Sequence, residues 1–244
     1  MSEVSAAAKA DLAPTGKLRA GINFANTLLT ARDAGGKPVG VALDLSHELG
    51  RRLGVPVEIV EFPTPGQLAD SAAQNLWDVG FLGAEPARAK LIDFTAPYVQ
   101  IDATYLVPND SPLTTIAAVD KPGVKIVVPA KAAYELWLTA NLKHAHITRA
   151  DGGDGAAKQF AAGGFDVLAG LKERLKKDLP NLPGTRLIDG NFTAVLQAAG
   201  TPKGHAAGNT YLKAFIEDVK HSGLVAKLIE KHKVGHGLTV SPAA

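Results

Sequence analysis

The sequence predicts an α/β protein built from two halves. Short β-branched runs alternate with amphipathic helical stretches, the order that gives a largely parallel sheet. The alternation restarts halfway along the chain, and the C-terminus closes with two helical stripes. The 244 residues allow one large or two ordinary domains, and 46% apolar against 20% charged residues allows a buried core.

Residues 1–16 read as a flexible arm. "KLRAGINF" is a short strand, "RDAGGKPVG" a Gly/Pro loop, and "VALDLSHELGRRLG" a helix whose Val41, Leu45, Leu49 and Leu53 fall on one stripe. Gly54 can end that helix in a left-handed conformation. "VPVEIVEF" is a strand, "PGQLADSAAQNLW" a helix and "DVGFLG" a buried strand. "GAEPARAKLIDFTAPY" follows, read as a helix start with Pro86 at its first position, where a missing N–H costs nothing. "ATYLVPN" and "GVKIVVPA" are strands of the second half, followed by the helix "AAYELWLTANLKH". "FDVLAGL" is a strand after Gly-rich turns at "GGDG" and "GG", and "TAVLQAAG" a strand returning to the first half. Tyr211, Leu212, Phe215, Ile216 and Val219 form one final stripe, Gly223 interrupts, and Leu224, Leu228 and Ile229 begin the next.

A net charge of +2 gives no electrostatic case for a nucleic-acid partner. The basic run "KERLKKDL" interleaves Leu171, Leu175 and Leu179 at helical spacing and reads as a solvated helix face. Without cysteine there is no disulfide, thiol catalysis or cysteine-held metal. His144 and His146 stand two apart at an expected helix end and point away from each other, so no metal site is expected. H-E-x-x-H, G-x-S-x-G, Walker and G-x-G-x-x-G signatures are missing, and neither a cofactor nor a catalytic set is expected. No apolar run approaches the ~20 residues of a membrane span, so direct insertion is not expected. The N-terminus lacks the basic and apolar regions of a secretory signal, which leaves open a cytoplasmic chain or a mature form carrying an added start methionine.

Four segments together resemble the family 3 extracellular solute-binding proteins, the amino-acid receptors of bacterial ABC importers. "GKPVGVALDLSHELGRRLG" is similar to that family's G-x-x-x-G-F-D-V-D-L-A helix entry, and "NLWDVGFLGAEPARAKLIDFTAPY" to its D…T-x-x-R…D-F…P-Y block. "SPLTTIAAVDKPGVKIVV" resembles the lead into the second lobe and "YLKAFIEDVKHSGLVAKLIEKH" the closing helix pair. The middle block is the most specific of the four. The resemblance implies a two-lobe type II periplasmic-binding-protein fold with a hinge of two crossing segments. Lobe one would span 17–102 and 198–244, and lobe two 103–197. It implies a monomeric, periplasmic protein that takes a small carboxylate or amino-acid-like ligand in the cleft and hands it to an ABC permease.

Arg88 falls where the family places the arginine that holds the ligand's carboxylate, and a guanidinium fork suits that group. Gly83 and Glu85 belong to the same stretch. Lys131, Ala132, Ala133 and Tyr134 occupy a strand-to-helix turn whose backbone N–H groups reach the same carboxylate in the family. Phe24 or Asn26 falls near the position of an aromatic ring that covers the ligand's side chain. Two departures stand out. Glu85 replaces a threonine, and the family's ammonium-binding aspartate falls on Leu171. Two other classes remain open: a dehydratase-like enzyme using Glu85 and Lys131, with Glu173 nearby, and a stand-alone cytoplasmic binder or sensor.

Overall fold

The computed structural model describes residues 4–243. The chain begins with α1 (Ala6–Leu12), β1 (Leu18–Asn23), the hairpin strands β2 (Ala31–Arg32) and β3 (Pro38–Val39), α2 (Val41–Leu53), β4 (Val57–Phe62), α3 (Pro65–Asp70), β5 (Val79–Gly83), β6 (Ile92–Phe94) and β7 (Val99–Pro108). It continues through β8 (Lys125–Pro129), α4 (Ala133–Asn141), β9 (His146–Ala150), α5 (Gly152–Ala161), β10 (Val167–Leu171), α6 (Lys172–Asp178), β11 (Thr185–Leu187) and β12 (Thr193–Pro202). It ends with α7 (Ala206–His221), α8 (Leu224–Lys231) and β13 (Thr239–Val240). Two compact units result, one running to Gln100 and resuming at Leu196, the other from Ile101 to Val195.

In the first unit β1 lies between β4 and β5, parallel to both, and β12 joins β5 antiparallel. β6 pairs with β12, and β13 with Val99 and Gln100 of β7. The α2 stripe of Val41, Leu45, Leu49 and Leu53 is buried, and Gly54 stops the helix at φ 64°. Trp77 packs among Phe62, Leu68, Leu82 and Ile92 and donates its ring N–H to Ser71 at 2.9 Å.

Residues 6–12 are not a loose arm; residues 1–3 lie outside the described residues. Ser5 caps α1 by accepting from the Ala8 N–H, and Ala8 and Leu12 are buried. Asp11 accepts from the Gly208 N–H at 2.9 Å, which ties α1 to the start of α7. Gly208 permits the approach, since a Cβ there would stand 2.7 Å from that of Asp11. The alanine-rich stretch had few apolar residues to mark a stripe, so the helix is legible only once its partner is placed. Leu12 has no exposed surface. Leu12→Ala should therefore cost about 2–5 kcal/mol of unfolding free energy in a denaturant titration. A loss below about 0.5 kcal/mol, the level of an ordinary surface substitution, would return the segment to an arm.

In the second unit β10 pairs antiparallel with β7 and parallel with β8, and β9 follows β8 in parallel. β11 covers the far end of β7. One face of this sheet packs Tyr105, Ile126, Val128, Leu138 and Val167, and the other Leu106, Val127, Phe160 and Leu168. "GGDG" is not a turn but the opening of α5. Ala156 and Phe160, one helical turn apart, hold α5 on the sheet and override the low helix propensity of its glycines.

Candidate functional site

Every sequence-derived site residue lies at or just beyond the C-terminal end of a parallel strand, the edge where open α/β sheets take ligands. In the first unit β1 ends at Asn23 and β5 at Gly83, with Ile22 opposite Phe81. Phe24 and Asn26 leave the first of these strands, and Glu85 and Arg88 the second.

The stretch after β5 is not a helix start. The Glu85 backbone carbonyl accepts the N–H groups of Arg88 and Ala89 at 2.9 and 3.1 Å, and Arg88–Lys90 is a single 3-10 turn. Eight residues separate β5 from β6, which pairs with β12 through Ile92, Asp93 and Phe94, and the chain takes up this strand directly after the 3-10 turn. The positive charge at this turn is thus the guanidinium's, with no α-helix end beside it. Arg88 is buried and donates to the Gly83 carbonyl at 2.8 Å, which folds the side chain back over its own turn. Burial pushes its guanidinium down to about 10, against the opposing charges of Glu85 and Asp70. It stays cationic at neutral pH. The Glu85 carboxyl is raised by burial, with Arg88 pulling the other way. Gly83, Glu85 and Arg88 therefore form one compact turn with a buried cation beside a half-buried acid.

Phe24 is half-buried, and the Arg32 guanidinium stands 5.0 Å from its ring centroid while also pairing with Glu61. One aromatic face is thereby covered by this chain's own cation. Asn26 is a loop organiser. Its side-chain oxygen accepts from Leu28 N–H at 3.2 Å, and its carbonyl from Thr30 N–H and Oγ1, both at 3.0 Å.

In the second unit β8 ends at Pro129, and the chain turns through Ala130 and Lys131 into α4. Lys131 is left-handed at φ 57°, and Ala132 is the N-cap. The expectation that backbone N–H groups from 131 onward face a ligand needs correction at its first member. Lys131 N–H donates to Glu135 Oε2 at 3.0 Å, while Ala132 N–H reaches the Pro129 carbonyl at 3.4 Å. Ala133 and Tyr134 open the helix, and first-turn N–H groups have no acceptor inside it. Leu171 ends the neighbouring β10 and packs with Ala103, Ala133, Tyr134, Phe192 and Val195. Ala133, Tyr134 and Leu171 thus come together in an apolar wall, with Lys131 and Ala132 in the turn that leads into it.

Glu135 escaped the sequence reading. Its carboxylate is buried and accepts from Lys131 N–H, Thr139 Oγ1 and Arg149 Nε. The available signal was its spacing, an acid at the third helical position, but with alanine at the N-cap half of the usual capping pattern is missing. Among the described residues no group of three metal-ligating side chains occurs, and no helix is long and apolar enough to cross a membrane.

Two α/β units linked through crossing strands give the type II periplasmic-binding-protein fold. A mutant of ArgBP from T. maritima matches with TM-score 0.76 at 21% identity, over 93% of this chain and 99% of that one. The amino acid ABC transporter substrate-binding protein AbpA from Streptococcus pneumoniae, bound to L-arginine, matches with TM-score 0.75 at 19% identity, over 91% of this chain and 97% of that one. An ancestral amino acid-binding protein, described as a precursor of cyclohexadienyl dehydratase, matches with TM-score 0.74 at 23% identity, over 91% and 98%. Residues 18–235 match the bacterial extracellular solute-binding proteins, family 3, and the chain belongs to that family.

Proposed function

We propose that this protein captures a small carboxylate or amino-acid-like solute and presents it to an ABC permease, acting as a monomer on the extracytoplasmic side. The observation that carries this reading is Arg88: a buried guanidinium at the C-terminal end of β5, beside a half-buried acid. Burial weakens competition from water and strengthens a bidentate carboxylate contact. In the second unit, the Ala133 and Tyr134 N–H groups at the first turn of α4 also favour an anion. Phe24 flanks the ligand with the ring face that Arg32 leaves uncovered.

Binding without chemistry is the reading we favour for this chain, because the wall beside the α4 turn is apolar and the family is one of solute binders. A thermal-shift screen of free carboxylates, α-amino acids and neutral amides tests it. Carboxylates should raise the melting temperature and the matching amides should not. Stabilisation by amides equal to that by acids would reject an anion anchor.

A further inference from the structure

We propose that Glu135 is a positioning residue for ligand capture: it holds Lys131 in the left-handed conformation that aims the first turn of α4 at the ligand's acid group. This rests on the reading just given. Lys131 has φ 57°, a conformation that side chains larger than Asn or Asp seldom adopt. Something must hold it, and the Glu135 carboxylate does so by accepting the Lys131 N–H at 3.0 Å. Glu135 belongs to α4 itself, so its bond fixes the approach of the chain to the helix it enters.

The carboxylate is in turn held from outside the turn. Its other oxygen accepts from Thr139 Oγ1 at 2.7 Å and from Arg149 Nε at 2.9 Å, and Arg149 also donates to Thr139 at 2.8 Å. A charge only 2% exposed is tolerable because each oxygen has donors. Arg149 lies on β9 and Lys131 follows β8, two strands paired in register from Lys125–His146 to Pro129–Ala150. The network therefore ties the turn to the rigid sheet and leaves the Ala133 and Tyr134 N–H groups for an anion.

The test uses the full chain, nuclear magnetic resonance of backbone amides, and sodium acetate as probe. Glu135→Met keeps the volume and removes the acceptor, while Glu135→Gln keeps one acceptor. In ligand-free protein, Glu135→Met should shift the Lys131 carbon resonances away from left-handed values, and Glu135→Gln should not. Acetate should move the Ala133 and Tyr134 amides of wild type saturably. Its affinity should fall about tenfold in Glu135→Met, the loss of about one hydrogen bond's net worth. It should return to within about threefold of wild type when Lys131→Gly is added, because glycine adopts the turn unaided. If Glu135→Met keeps the Lys131 resonances, or binds acetate as wild type does, or if Lys131→Gly restores nothing, the positioning role is overturned. Should Glu135→Met fail to fold, Lys131→Gly in the Glu135→Gln background decides: acetate affinity more than threefold below wild type rejects the proposal. Silence of the Ala133 and Tyr134 amides toward acetate in wild type, with the Lys131 resonances behaving as stated, instead rejects the carboxylate reading of this turn, and the ligand role of Glu135 with it.

Discussion

Arg88→Ala is expected to abolish ligand capture in calorimetry at 25 °C while the protein remains folded. Removing one partner of a buried, hydrogen-bonded charge pair costs about 2–5 kcal/mol, roughly thirty- to several-thousandfold in affinity. Arg88→Lys should fail almost as badly, since a point charge cannot reproduce the planar fork. Neither variant should be silent in stability. The Arg88 guanidinium donates to the Gly83 carbonyl from a buried position, and losing that bond should cost about 1–3 kcal/mol. A guanidinium serving only to brace its own turn would show this stability loss without a matching loss of binding. Unchanged affinity in either variant removes Arg88 from the ligand.

The fold was legible because its signals are local and redundant. The α2 stripe, Gly54 as its stop and the β-branched runs of β1, β4 and β8 each reached the right element from sequence spacing alone. The errors came where tertiary contacts decide. α1 exists because α7 receives Leu12 and Asp11, and the post-β5 stretch becomes a 3-10 turn because β12 claims Ile92–Phe94 as a strand. The candidate site was legible only as residue types at strand ends. That Arg88 folds back on Gly83, that Asn26 spends its side chain on Leu28, and that Lys131 gives its N–H to Glu135 all depend on side-chain direction. Spacing cannot encode that direction for a loop. Glu135 is the sharpest case: an ordinary helix-start acid in sequence, and in three dimensions the acceptor on which a left-handed residue leans.

Deaminated carboxylic acids should stabilise this protein more than the matching α-amino acids. Leu171 occupies the position that the family resemblance assigns to the ammonium acceptor, and it sits in an apolar wall with Ala133, Tyr134, Phe192 and Val195. An ammonium left without a partner against such a wall costs several kcal/mol, a thousandfold or more at about 1.4 kcal/mol per factor of ten. Glu85 is the alternative acceptor to test, half-buried beside Arg88 with its carboxyl already raised by burial. The two cases differ in sign with pH. If Glu85 receives an ammonium it must be ionised, so amino-acid affinity falls as pH drops toward its raised value. If the ligand brings only an acid group, an ionised Glu85 repels it. Affinity then rises over the same interval, until the ligand's own carboxyl protonates near pH ~4–5. Glu85→Gln should flatten either slope. The measurement is a thermal-shift screen of glutarate with L-glutamate and of 4-methylpentanoate with L-leucine, from pH ~7 to ~5. A ligand at about 100 times its Kd adds about 2.7 kcal/mol, well within detection. Preference for the deaminated acids, growing toward low pH, is the expected outcome. Preference for amino acids that vanishes in Glu85→Gln assigns the ammonium to Glu85 and ends the deaminated-acid proposal. Preference for amino acids in both proteins leaves neither Leu171 nor Glu85 in control of the ligand's amino end.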